Sequence, residues 1–364
     1  MVNGNSRPFT VGFISSPHPH ARLHVKTLDV LPQVEAVHVC GLEGEDVEGL
    51  RAQAPGKVKS TGCDLAEILA MDEIDALIVC VRNDLSPAVL EAAVEAGKPV
   101  LFEKPGALTA PALQAVAEKA QAKKLTMGVM LQWRGHPICQ EVRNANLGGA
   151  LGRIMTVESR IVTSQVRYRD PKHWLFNKAH AGSGILSWLA CHHIDTLCYL
   201  MGDRVAEVSA MVGQQNVESI DVEDTAFLSL RFASGAMGTV HAGYHLVGSK
   251  AGYSGAAYDT FLALRGTDGY VRMPLSDEKA YMLSSIAPGW AAGGKRERSF
   301  TFPDSPAYGG VAGEDFVMDF LNAAREGRPA LAPIEGMVHV LEVIDAALES
   351  SKTGRVVTIG AGPR

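Results

Sequence analysis

Two kinds of apolar pattern divide the chain. In the first third, apolar residues come in unbroken runs: Phe9–Ile14, Glu35–Leu42, Ile74–Val81, Val100–Phe102 and Thr126–Gln132. Runs without alternation suit parallel strands covered on both faces. Helical patterns alternate with them, among them Asp64–Met71, a segment that stops at Gly97, and Thr109–Lys123. Strand–helix–strand repetition of this kind predicts a doubly wound α/β sheet. Pro137–Leu147 reads as a helix crossing into a second region, with Gly148, Gly149 and Gly152 at the seam. Beyond it the pattern changes to strands rich in β-branched residues: Arg153–Val162, Val205–Val212, Thr225–Phe232, Ala236–Tyr244, Thr260–Arg265 and Tyr270–Pro274, expected to be antiparallel. Ser234-Gly235 and Asp268-Gly269 read as hairpin turns, Ala287–Gly294 as a loose loop, and Gly313–Ala324 and Gly336–Ser350 as helices.

The Val100–Phe102 run stops on Glu103-Lys104-Pro105. Ligands of an open parallel sheet bind outside the carboxyl ends of its strands, so this charged pair is delivered to a place where chemistry happens. Ala96-Gly97-Lys98-Pro99-Val100-Leu101-Phe102-Glu103-Lys104-Pro105 resembles the signature of the glucose–fructose oxidoreductase/inositol dehydrogenase (Gfo/Idh/MocA) family, and the resemblance runs over nearly the whole chain. It implies an N-terminal Rossmann-type dinucleotide-binding domain over residues 1–135. It further implies a C-terminal α/β domain with a large, mostly antiparallel open sheet for substrate and oligomerisation over 136–335, and a tail, 336–364, packed back on the first domain. It also implies that Lys104 serves cofactor and substrate and that the Lys104–Pro105 bond is cis.

The cofactor-binding candidates follow from the same layout. A dinucleotide fold places Gly-x-Gly-x-x-Gly after its first strand; here Ser15, Pro17 and His20 take the glycine positions. Ser16 as N-cap and Pro17 as first helical residue are expected to start a helix, whose dipole, with Ser15, Ser16, His20 and Arg22, meets the phosphates. Glu43 follows the second strand and is the candidate for the ribose hydroxyls. Glu43, Glu45 and Asp46 together oppose a 2′-phosphate, so NAD is favoured over NADP. Asn83, Glu103 and Arg134 complete the cofactor set by resemblance. His18, His20 and His24 invite a metal reading, but no carboxylate or thiol stands beside them in sequence, so no metal is expected.

The second informative stretch is Gly182-Ser183-Gly184 followed by Trp188, His192 and Asp195. The spacing i, i+4, i+7 places the last three on one helical face, with His193 rotated off it. It resembles the family's glycine-rich run with Asp, His and Asp. Lys104, His192 and Asp195 are thereby the catalytic candidates, while Trp188 replaces a carboxylate with a stacking surface. Arg169, His173 and Trp174 lie in a loop dense in aromatic and polar side chains, and with Trp188 and His192 form the candidate carbohydrate or polyol site. His241, Tyr244 and His245 are weaker candidates for the same cleft.

Composition narrows the reading. The chain has 364 residues, 46% hydrophobic and 20% charged, enough for two ordinary globular domains. A net charge of −6 lacks the basic footprint of a nucleic-acid binder, no apolar run spans a bilayer, and Met1–Pro8 lacks a signal core. Six cysteines without a Cys-x-x-Cys pair point to reduced thiols and a cytoplasmic protein. The function expected is hydride transfer between a nicotinamide and a secondary alcohol, in a homodimer or homotetramer built through the C-terminal sheet. Two other readings stand beside it: a redox-neutral enzyme with tightly held NAD, and a non-catalytic sugar-binding relative.

Overall fold

The structure is a computed structural model that describes residues 7–248, 258–274, 280–289 and 294–360. The chain folds as two units. The first comprises residues 1–107, 111–135 and 302–335; the second comprises 108–110, 136–301 and 336–364.

The first unit is a six-stranded parallel sheet. Its elements are β1 (Phe9–Ser15), α1 (Ala21–Val30), β2 (Val34–Gly41), α2 (Val47–Arg51), β3 (Val58–Ser60), α3 (Leu65–Ala70), β4 (Ala76–Cys80), α4 (Ser86–Glu95), β5 (Val100–Phe102), α5 (Ala110–Ala122) and β6 (Met127–Val129). Strand order is β3-β2-β1-β4-β5-β6, so the winding reverses between β1 and β4. β1 runs parallel to both neighbours, pairing Ser15 with Gly41 and with Cys80. The unbroken apolar runs have the expected cause: every residue of β4 and β5 is buried. Asp64 caps α3 reciprocally with Glu67, each side chain accepting from the other's backbone N–H.

The start of α1 departs from expectation. The helix begins at Ala21 with His20 in the cap position, not at Ser16-Pro17. Ser16 is committed elsewhere, since its hydroxyl accepts from Arg82 N at 2.9 Å and its N–H donates to Cys80 O at 3.3 Å. A second proline, Pro19, also delays the helix, because neither Pro17 nor Pro19 has an N–H to give.

The second unit holds α6 (Pro137–Leu147), β7 (Ile154–Ser164), α7 (Lys178–Ala181), a π turn (Leu186–Ala190) continuous with α8 (Cys191–Met201), and then β8 (Val205–Gly213), β9 (Thr225–Phe232), β10 (Met237–Leu246), β11 (Asp259–Gly266), β12 (Gly269–Met273), β13 (Ala280–Ser285) and β14 (Gly294–Ser299). The chain continues through α9 (Gly310–Glu326) in the first unit, then α10 (Ile334–Thr353) and β15 (Val357–Thr358). Nine strands form one open sheet in the order β14-β13-β12-β11-β7-β10-β9-β8-β15. It is mostly antiparallel, but β10 lies parallel to β7, which the sequence pattern alone did not distinguish. β13 and β14 were not anticipated, and the loop expected over 287–294 lies partly outside the described residues.

The domain boundaries also shift. Residues 302–335 join the first unit: Tyr308 N donates to Thr27 Oγ1 at 2.8 Å and Val129 N to Ala332 O at 2.8 Å. Residues 336–364 group with the second unit. β15 pairs with β8, Val205 N donates to His339 Nε2 at 3.1 Å, and Ala210 N donates to Ser350 Oγ at 3.0 Å. The tail supplies partners to an edge strand whose backbone groups would otherwise go unpaired. Among the described residues no helix is long and apolar enough to cross a membrane.

Candidate active site

In the first unit, the site is built at the carboxyl ends of β1, β4 and β5, beside the reversal of winding. β5 delivers Glu103 and Lys104 together. Glu103 N–H continues the ladder to Val79 O at 2.9 Å, and the Lys104–Pro105 peptide is cis. Gly106 then takes φ +75°, and a Cβ there would meet the Phe102 ring at 2.3 Å, so only glycine fits the exit from the strand.

Glu103 is almost wholly buried. Its Oε1 is 2.7 Å from His20 Nδ1 and 2.7 Å from His24 Nε2. A carboxylate only accepts, so both imidazoles donate. Burial pushes Glu103 up, but its contacts with His20 and His24, hydrogen bonds among them, outweigh it and the carboxyl lies well below its usual range. Burial takes His20 down to about 4 against the pull of Glu103, so its ring stays neutral at pH 7. Tyr308 packs over both rings, 4.7 Å from His20 and 5.1 Å from His24. The Lys104 side chain is itself 1% exposed. The premise for excluding a metal, that no carboxylate or thiol lies near these histidines, is corrected: Glu103 and Cys80 stand beside them in space.

The other cofactor candidates divide. Ser15 donates to Glu45 Oε2 at 2.6 Å and Ser16 is bound to Arg82 N, so both hydroxyls hold the loop. Arg22 is exposed and paired with Asp46 at 2.8 Å. Glu43, at φ +54°, keeps a side chain half open to solvent, 3.5 Å from Arg82. Asn83 is buried at the end of β4, and Arg134 donates to Leu331 O at 3.3 Å. The residues that suit a dinucleotide without the glycines are Glu43, a carboxylate after β2, and Asn83, an amide after β4, while the N–H of Ala21 at the start of α1 is taken by His18 O at 3.1 Å.

In the second unit, Gly182 and Gly184 let the chain pass close to its neighbours. A Cβ at Gly184 would lie 1.9 Å from Glu223 O. That approach lets Glu223 cap the helix: its backbone carbonyl accepts from Ile185 N at 3.1 Å and its Oε1 accepts from Leu186 N at 3.0 Å. Burial pushes the Glu223 carboxyl up, and these backbone donors partly counter it. The π turn that follows carries Trp188, and α8 carries His192 and Asp195; all three are buried. A π turn widens the helix by a residue and is a recurrent feature of functional sites, so Trp188 and His192 are not related by a regular α turn. His193 points elsewhere, its Nδ1 bonded to Ser159 Oγ.

The candidate substrate loop is largely self-contained. Arg169 donates to Ser164 Oγ at 2.7 Å and its guanidinium lies 4.9 Å from the Tyr244 ring centre. His173 Nδ1 accepts from Leu175 N at 3.2 Å, and its ring lies 5.6 Å from that of Trp174. Tyr244 is fully buried, His245 Nε2 lies 2.6 Å from Thr225 Oγ1, and His241 stacks on the half-exposed Phe227. Sequence reasoning missed Tyr308, Cys80 and Glu223. The first two had no local signal. Glu223 lies in a stretch of mixed polar and apolar residues and meets the helix start where Gly184 lets the two segments approach.

A doubly wound sheet whose winding reverses between β1 and β4, with an acid after β2, has the layout of a Rossmann-type dinucleotide-binding domain. Residues 11–131 match the oxidoreductase family with the NAD-binding Rossmann fold, and residues 139–272 match the GFO/IDH/MocA C-terminal domain. The chain belongs to the Gfo/Idh/MocA family. It is 27% identical over 230 residues to levoglucosan dehydrogenase of Pseudarthrobacter phenanthrenivorans, covering 57% of each chain. It is 25% identical over 252 residues to 1,5-anhydro-D-fructose reductase of Ensifer adhaerens, 65% of this chain and 75% of that protein. With several other curated relatives, too, the match spans little more than half of their length, 54% and 52% in two cases. A solved levoglucosan dehydrogenase in complex with NADH and levoglucosan has the same fold, with TM-score 0.83 over 97% of this chain and 99% of that one at 22% identity.

Gly184→Ala forces its methyl into the Glu223 backbone and is expected to cost about 1–3 kcal/mol, read as a lower urea midpoint. His193, which burial lowers to about 3, is neutral in the fold, whereas an unfolded imidazole takes its proton near pH 6.5. Protons therefore favour unfolding, and stability falls as pH drops from about 6.5 toward 3. His193→Asn is expected to flatten that part of the pH–stability curve; an unchanged slope in chemical denaturation would contradict the assignment.

Proposed function

We propose that the protein is an NAD-dependent dehydrogenase or reductase acting on a secondary alcohol of a sugar or polyol. The observation that carries the proposal is a fully buried lysine at the tip of β5, beside the reversal of the sheet, on a strand end pinned by a buried carboxylate. An ammonium shielded from water there has a use for a developing alkoxide that a solvated lysine lacks. Glu43, Asn83, Arg134 and the start of α1 hold the cofactor, which when bound supplies the hydride acceptor or donor. Lys104 donates a hydrogen bond to the reacting oxygen and stabilises negative charge on it. His192 takes or returns the hydroxyl proton, since an imidazole titrates near working pH. Asp195 orients His192 or binds a neighbouring hydroxyl. Trp188 provides a stacking surface for the ring, and Arg169, His173 and Trp174 border it.

The names of relatives support the substrate class: levoglucosan, anhydrofructose and inositol are all polyhydroxylated rings. We further propose that the protein works in the cytoplasm, supported by six cysteines none of which is in a disulfide. We also propose that it self-associates through the open face of the nine-stranded sheet. There Met211, Phe227 and Met237 are 79%, 50% and 55% exposed, more apolar surface than an isolated face leaves to water.

Lys104→Met is expected to lower kcat/KM for the best substrate of a sugar and inositol panel by 10³-fold or more, and His192→Asn by about 10²–10⁴-fold. Folding by circular dichroism and NAD binding by fluorescence are to persist in both variants. Turnover of Lys104→Met within a few-fold of wild type would refute the role. Phe227→Glu is expected to shift the mass seen by light scattering toward the monomer; a native mass equal to one chain before substitution would remove the oligomer proposal.

A further inference from the structure

We infer that His24, Cys80 and Glu103 form a binding site for a divalent metal of the zinc class, buried under the loop that joins β1 to α1. The three residues come from different elements, α1, the end of β4 and the exit of β5, and each offers a donor atom within 4.8 Å of the other two. All three are buried, with exposures of 1%, 0% and 4%. Imidazole, thiolate and carboxylate are the donors that zinc takes, and tetrahedral bonds of the usual lengths set donor atoms about 3.3–3.6 Å apart. The His24–Glu103 contact of 2.7 Å opens slightly when a cation replaces the shared proton.

A second observation concerns the carboxylate. Glu103 Oε2 is buried and without a hydrogen-bond partner among the described residues, an acceptor available to a cation beside it. With the Cys80 thiol deprotonated, the thiolate and the Glu103 carboxylate set two negative charges against the metal's two positive ones, and a water fills the fourth position of a three-donor site. Binding forms the metal–sulfur bond and releases the thiol proton to solvent; no electron moves. His20, donating to the same Glu103 oxygen at 2.7 Å, then fixes the orientation of the ligating carboxylate. The metal ties the glycine-free loop to two strand ends, and the inference does not depend on which alcohol the enzyme oxidises.

The test is made on the full-length protein expressed in minimal medium supplemented with zinc or, separately, with cobalt. Elemental analysis is expected to find close to one metal per chain, and the cobalt form is expected to show tetrahedral ligand-field bands with a near-ultraviolet thiolate band. Cys80→Ser is to lose the thiolate band, His24→Phe is to lose the metal, and Cys198→Ser is to change neither. Trace metal in the wild type with no cobalt spectrum overturns the inference without recourse to any variant. So does a thiolate band that survives Cys80→Ser. Because the readouts are elemental and spectroscopic, they succeed or fail independently of dehydrogenase turnover.

Discussion

The first unit depends on one buried charge. Glu103 sits at the end of a three-residue strand and keeps its carboxylate ionised away from water. Such a group persists only if donors surround it, and removing a partner from a buried charge costs about 3–5 kcal/mol. Here the donors are the rings of His20 and His24, which stand where a dinucleotide fold carries glycines and opens its first helix. The loop thus gives up the close backbone approach that glycine allows and gains a rigid side-chain plug. Lys104, next in the chain, inherits that rigidity. Its direction is fixed by Glu103 on one side and by the proline and Gly106 on the other.

The second unit solves a comparable problem with backbone. Glycine at 184 admits the Glu223 segment to contact distance, and Glu223 then caps the helix that carries His192. A carboxylate at a helix start is favourable for the same reason that anions bind there. The widened turn at Leu186–Ala190 carries Trp188, buried ahead of α8. Trp188 brings an indole to the same buried helical segment that carries His192 and Asp195.

Much was legible in the chain itself. Unbroken apolar runs gave the parallel strands because burial on both faces leaves no polar positions, and β4 and β5 are buried throughout. Glu103-Lys104-Pro105 was readable because a strand that stops on charges has reached the edge of the sheet. The short helix at Asp64–Met71 was readable too, and the structure shows Asp64 and Glu67 capping it reciprocally. The parallel pairing of β10 with β7 was not readable, since alternation reports which face is buried and says nothing of the neighbour's direction.

The sequence by itself determined the two fold classes, the strand tip that bears Lys104 and the helix that bears His192. Each is encoded within about ten consecutive residues, over which periodicity and capping act. Only the tertiary structure decided that His20, His24, Cys80, Glu103 and Tyr308 are neighbours, that the tail from 336 completes the nine-stranded sheet, and that Ser15 and Ser16 brace a loop. The physical reason is range. Burial of a charge must be answered by whatever donors the packed sheet brings to it, and those come from residues far apart in the chain.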